Sequence, residues 1–216
     1  MRGYDFAHWL AQRGITAFVL RYRVAHSPEN NDEFGAFVQN LLKILPRPEQ
    51  TTEAPPMGGD NGPGSIRSMA EEDGRQAIRF VRQHASEWDI DPNRIGIAGF
   101  SAGGGIAVEA AVNHDAQSRP DFVAGLYPGY RNPITMAPDA PPIFIASTDD
   151  DKFVAPISGT RLYEAWHKAG KSAELHIFVK GEHGFGMKKQ NLPSDGWVEL
   201  FESWLVAHGY LSPTSK

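Results

Sequence analysis

Hydrophobic positions along the chain fall into two alternating patterns. Short runs rich in β-branched and aromatic residues lie at residues 15–24 (ITAFVLRYRV), 94–100 (RIGIAGF), 122–128 (FVAGLYP), 142–148 (PIFIAST) and 173–180 (AELHIFVK). Their length and residue types predict β-strands, and three are nearly continuous apolar stretches, which suits strands covered on both faces. Longer stretches with helical spacing lie between them: residues 4–14, 71–88, 101–114, 158–170 and 195–209. Three of these end on Gly14, Gly170 or Gly209, as helix C-termini do. Strands alternating with helices imply crossover connections and a mostly parallel sheet, hence an α/β three-layer sandwich.

One segment breaks the rhythm. Residues 26–65 combine a possible helix over 32–45 (DEFGAFVQNLLKIL) with a Pro/Gly/Thr-rich stretch that has no periodicity. Loops of this length in α/β domains are functional lids or disordered excursions, and both readings are open. No internal repeat or second core is evident, so residues 1–216 read as one domain.

Composition narrows the function classes. With 21 Lys and Arg against 26 Asp and Glu, the net charge is −5, and no basic cluster offers a nucleic-acid footprint. No apolar run approaches the ~20 residues that span a bilayer, and the opening MRGYDFAHWLAQRG lacks the design of a signal peptide. A soluble chain is expected, cytoplasmic or, if its true start lies upstream, secreted or periplasmic. The absence of cysteine removes disulfides, thiolate chemistry and Cys-ligated zinc.

Candidate chemistry begins at Gly99-x-Ser101-x-Gly103, a pattern short enough to arise by chance in a chain with 22 glycines. Its surroundings make it specific. A nucleophile elbow needs a strand before it, a helix after it and small residues two positions either side, because strand and helix backbones come very close. RIGIAGF and AGGGIAVEAAVNH supply both elements around Ser101. The bland alternative is a βα turn that uses glycine for geometry alone.

A serine at its ordinary pKa needs a base, and the base an orienting acid. On a sheet of this kind they follow in the order Ser, Asp/Glu, His, on loops at the carboxyl ends of strands. His183, in KGEHGFGM, sits just past a strand and before the last helix. His176 lies within that strand and is expected to pack; His8, His84, His114, His167 and His208 fall on helices or their ends, where solvation is the default. His26 precedes the serine and has the wrong order. The acid is expected in the run Asp149–Asp150–Asp151, of which one member can point at the histidine; Asp151 and Asp150 are the candidates. Trp166, Trp197 and Trp204 are expected in the core or at an interface. Tyr127 and Tyr130 follow a strand at its carboxyl end and are candidate pocket residues, as are Phe100 and Phe185 beside the serine and histidine. No metal-ligand spacing occurs, and GFSAGGG lacks the Lys-Ser/Thr of a phosphate loop, so neither metal nor cofactor is expected.

With these residues placed, nearly the whole chain resembles the α/β-hydrolase superfamily, in particular its small acetyl-xylan-esterase-like and dienelactone-hydrolase-like carbohydrate esterases. The resemblance is carried by AFVLRYR, DGRQAIRFVRQHASEWDIDPNRIGIAGFSAGGG, PPIFIASTDDDKFV and AELHIFVKGEHGFGM with the closing LPSDGWVELFESWL. It implies a Ser101–His183–Asp151 triad, since the family's acid stands nine residues after the proline opening its strand and is followed by x-x-Val, as Pro142, Asp151 and Val154 are. It also implies an oxyanion contact from the backbone N–H of Ala102, and a small-molecule or carbohydrate ester as substrate. The family's second oxyanion donor comes from a Gly-rich loop ahead of the first helix, together with three earlier strands that this sequence lacks. One of those strands lies between AFVLRYR and RIGIAGF in the family's sheet, so their facing edges are expected to be unpaired. A truncated start, a strand supplied by a partner and a natural short form are all consistent with that. A prolyl-oligopeptidase-like peptidase and a catalytically inactive fragment remain the alternative functions. Oligomeric state is not legible.

Overall fold

The two patterns become strands and helices in the computed structural model, which describes residues 2–24, 30, 32, 33, 36, 64–130 and 132–213. Helix α1 spans Arg2–Ala11, α2 Ile66–Gln83, α3 Ala102–Val112, α4 Ile157–Lys168 and α5 Trp197–Ala207; the strands are β1 Gly96–Phe100, β2 Phe122–Leu126, β3 Ile143–Thr148 and β4 Ala173–Phe178. Helix α2 starts five residues ahead of the expected 71–88 and ends earlier, at Gln83. Its entrance is set by Ser65, whose hydroxyl accepts the N–H of Ser68 at 3.1 Å and satisfies one orphan donor of the first turn. The three glycine stops hold: Gly14, Gly170 and Gly209 adopt φ of +78°, +67° and +72°, where a Cβ would be strained.

The sheet has four parallel strands in the order β1-β2-β3-β4. Helices α3 and α4 make two of the crossovers, and a loop over residues 127–142 makes the third. Alternate side chains go to opposite faces. Phe122, Ala124, Leu126, Phe144 and Ala146 pack against Phe6 of α1 and Trp197, Phe201, Trp204 and Leu205 of α5. Val123, Ile143 and Ile145 pack against Ala107, Val108 and Ala111 of α3 and Leu162 and Trp166 of α4. Helix α2 lies on that second side, joined through Ile78 and Ala110. The result is the expected three-layer α/β sandwich, with β2 and β3 buried along their whole length. Trp166, Trp197 and Trp204 are all core residues.

The fifth expected strand does not form as one. Residues 15–24 carry no helix or strand, and β1 is the sheet's outer strand among the described residues. The apolar alternation is real, but a strand is defined by a hydrogen-bonded neighbour, and here the described residues supply none. Phe18, Val19, Leu20 and Val24 are correspondingly exposed, and so is Ala98 of β1. Contacts that hold the segment include Phe18 on Trp88, with ring centroids 4.7 Å apart, Tyr22 close to Gly103, and Arg23 paired with Asp73 at 2.6 Å. The possible helix over 32–45 and the lid or excursion over 26–65 fall outside the described residues, apart from isolated positions and the α2 cap.

Two histidines refine the sequence reading. His176 packs on Phe144 and bonds Glu174, as expected of a strand residue. His114 is not solvated: its imidazole is 2% exposed and bonds Asp139 at 3.0 Å.

Candidate active site

Ser101 stands one residue beyond β1 and immediately ahead of α3, at φ 54° and ψ −118°. Left-handed φ is uncommon outside glycine and is held only where surrounding structure enforces it. Here the enforcement is visible. The Ser101 N–H donates to the Leu126 carbonyl at 2.9 Å, and its own carbonyl accepts from Gly105 and Gly129, each at 3.0 Å. Gly99 is obligatory, since a Cβ there would run into the Gly103 carbonyl. The turn throws the hydroxyl off the helix axis, so it makes no capping bond to α3. Instead, Oγ lies 2.9 Å from Nε2 of His183. The Ala102 N–H opens α3, where no carbonyl one turn earlier in the helix accepts it.

His183 hangs five residues past β4, on a loop pinned from β3. The Thr148 hydroxyl donates to the Glu182 carbonyl at 2.9 Å, and Asp150 Oδ1 accepts the N–H groups of Gly181 and Glu182 at 3.1 and 2.8 Å. Burial raises the Asp150 carboxyl, but the Glu182 N–H, the Lys180 charge and the Gly181 N–H outweigh it and hold the group below the usual carboxylate range. The neighbouring aspartate meets the imidazole. Asp151 Oδ2 lies 2.8 Å from His183 Nδ1, while its Oδ1 accepts the N–H groups of Phe153 and Val154 at 2.8 and 2.9 Å. Asp151 is 1% exposed, and among the described residues this pair and these two amides compensate for its burial. Of the two aspartates left open by composition, Asp151 orients the ring and Asp150 orients the loop.

The expected pocket residues divide. Tyr127 packs edge-on against the His183 ring at 4.9 Å, and against Phe185 at 4.6 Å; Phe100 lies 6.0 Å from Tyr127. Tyr127 and Phe185 are 0% and 2% exposed, so they back the histidine rather than face a ligand. Phe100 is partly buried and packs against Phe6 and Trp197. Tyr130 turns into the opposite core, and its hydroxyl donates to Glu109 Oε2 at 3.0 Å. Phe153, which the sequence reading did not single out, lies 5.1 Å from the His183 ring and is partly exposed to solvent.

Glu109 was also missed. It is 6% exposed on α3 and accepts from Tyr130 and Asn132, which tie the loop after β2 to the helix after Ser101, and from Asn113 at that helix's end. Burial and this carboxylate raise the Tyr130 phenol far above its ordinary range, so it remains a donor. A lone carboxylate in the apolar run AGGGIAVEAAV was the available signal, because a buried charge demands partners.

A strand–serine–helix turn with aspartate and histidine on later loops of a parallel sheet is the arrangement of α/β-hydrolase esterases, and the fold is theirs. Residues 66–128, from α2 through Ser101 to Pro128, match the BD-FAE family. The chain is 26% identical to an acetylxylan esterase of Xylanibacter ruminicola over 94% of its own length and 41% of that protein's. It therefore spans about two-fifths of this curated relative. An acetyl ester-xyloside bifunctional hydrolase from Caldicellulosiruptor lactoaceticus superimposes with TM-score 0.69 at 27% identity, over 96% of this chain and 77% of that one. Thermogutta terrifontis esterase 2, solved in a form phosphorylated by paraoxon, gives TM-score 0.60 at 26% identity over 68% and 66%. Among the described residues no helix is long and apolar enough to cross a membrane, and no cluster of His, Asp and Glu suits a metal.

Proposed function

We propose that this chain hydrolyses carboxylic esters by a serine mechanism, acting on short acyl groups, acetyl esters of carbohydrates in particular. The observation that carries the reading is the continuous relay Ser101 Oγ–His183 Nε2 at 2.9 Å and His183 Nδ1–Asp151 Oδ2 at 2.8 Å. Both contacts have the length of working hydrogen bonds, and the acid is buried on the far side of the base. The esterases among the relatives support the substrate class.

In this mechanism Ser101 Oγ attacks the acyl carbonyl carbon as its proton passes to His183 Nε2. Asp151 keeps the other nitrogen protonated and stabilises the imidazolium. The Ala102 N–H, at the positive end of α3, donates to the carbonyl oxygen as it gains charge. Collapse breaks the bond to the leaving oxygen, which takes the proton from His183 and departs as an alcohol. Water then attacks the acyl-serine ester, giving its proton to His183; the acid leaves and Ser101 regains its hydrogen.

The test is hydrolysis of p-nitrophenyl acetate and release of acetate from acetylated xylan by the wild type and Ser101→Ala. Wild type should turn over both, and Ser101→Ala should fall by about 10³-fold or more. Equal background rates would leave a binding or structural role; cleavage of a proline-directed peptide instead of either ester would favour the peptidase alternative.

A further inference from the structure

Among the described residues five non-glycine positions have positive φ: Asp89, Ser101, Tyr127, Glu182 and Asn191. Two are Asp or Asn, which tolerate this region because a short polar side chain can bond locally. The other three are the proposed nucleophile, the residue before the proposed base, and Tyr127. A bulky aromatic residue at φ 39° is a true outlier, and such strain persists only where packing over-determines it.

We propose that Tyr127 is a positioning residue that sets the distance between Ser101 and His183; this rests on the hydrolase reading above. The turn after β2 touches both halves of the relay. Leu126 and Gly129, either side of the Tyr127–Pro128 pair, hold the N–H and the carbonyl of Ser101. Between these two contacts the backbone turns through the left-handed region, and the Tyr127 N–H donates to the Ala146 carbonyl of β3 at 2.6 Å. That turn sends the ring sideways to the His183 imidazole, at 4.9 Å and 68° between planes, with Phe185 at 4.6 Å beyond it. Edge-on aromatic contacts of this kind have preferred separations, so a filled site resists rotation of the imidazole about its side-chain bonds. One four-residue turn thereby fixes the serine through its backbone and the histidine through one ring. Asp151 and the Asp150-pinned loop fix the histidine from the other strand.

The proposal separates ring from hydroxyl. Tyr127→Phe keeps the ring and should lose far less kcat than Tyr127→Leu. Tyr127→Leu removes the aromatic edge and should lower kcat for p-nitrophenyl acetate by about 10²-fold, the cost of a misplacement near 1 Å, with KM unchanged. The strongly downfield proton resonance of the His183–Asp151 bond should persist in Tyr127→Phe and broaden in Tyr127→Leu, which loss of global stability alone does not produce. Should Tyr127→Leu fail to fold, Tyr127→Met, whose thioether fills irregular space, is read by the same criteria. Wild-type kcat in the aliphatic variant, equal losses in Tyr127→Phe and Tyr127→Leu, or a loss confined to KM would each overturn the proposal. Ser101→Ala in the same assay separates the two readings: if it retains wild-type activity the hydrolase reading fails, whereas a dead Ser101→Ala beside a fully active Tyr127→Leu sinks only the positioning role.

Discussion

Two adjacent aspartates have divided their work. Asp151 is buried against the imidazole, and Asp150 faces the N–H groups of the loop that carries it. Replacing Asp151 by Asn should leave the fold and remove the charge that selects the histidine tautomer, lowering kcat by about 10³–10⁴ fold. Asp150→Asn should cost far less in kcat, and lower the melting temperature, because its carboxylate compensates two backbone amides. Steady-state rates with p-nitrophenyl acetate beside thermal unfolding check both; equal, small effects on kcat would defeat the assignment. Sequence alone reached the triplet and the family spacing preferred Asp151. What no spacing could show was the second role, since it depends on which loop folds back over β3.

At the level of elements, the segment over residues 15–24 is informative because it keeps a strand's sequence without a strand's partners. Its firmest tie is Arg23, whose backbone N–H and guanidinium both reach Asp73 of α2. The guanidinium hydrogen bond is the main force holding the Asp73 carboxyl below its ordinary range, against a smaller penalty from burial. A carboxyl depressed on folding contributes stability above its unfolded pKa, about 4, and loses it as pH falls through the lower folded value. Wild type should therefore melt higher than Asp73→Asn at neutral pH, and the gap should close as pH is taken from about 5 toward 2. The Arg23 side chain is about half exposed, so the gap should also shrink in high salt. Strand and helix positions were otherwise legible from periodicity and glycine stops. The five-residue error at α2 came from overlooking Ser65, a capping serine that follows a stretch with no pattern of its own.

For the molecule as a whole, two apolar clusters on opposite faces of four strands hold the carboxyl edge rigid beneath the proposed site. Trp166 anchors the face away from α1 and α5, fully buried, with its indole N–H on the Pro141 carbonyl at 2.8 Å. Trp166→Ala should destabilise by about 3–5 kcal/mol in urea unfolding, while the folded fraction keeps its turnover. The layer order was legible because β2 and β3 are apolar on both faces. The exposed flank beside β1 was anticipated only through the family resemblance, since RIGIAGF itself reads as an ordinary covered strand.

The strained seat of Ser101 has a further consequence. Serine at a helix entrance normally stabilises it, yet here the hydroxyl gives α3 nothing and the backbone sits where glycine is at ease. Ser101→Gly should therefore unfold at higher urea than the wild type, by about 1 kcal/mol, while hydrolysing nothing. Pressure for durability alone would therefore replace the proposed nucleophile among the first residues to go.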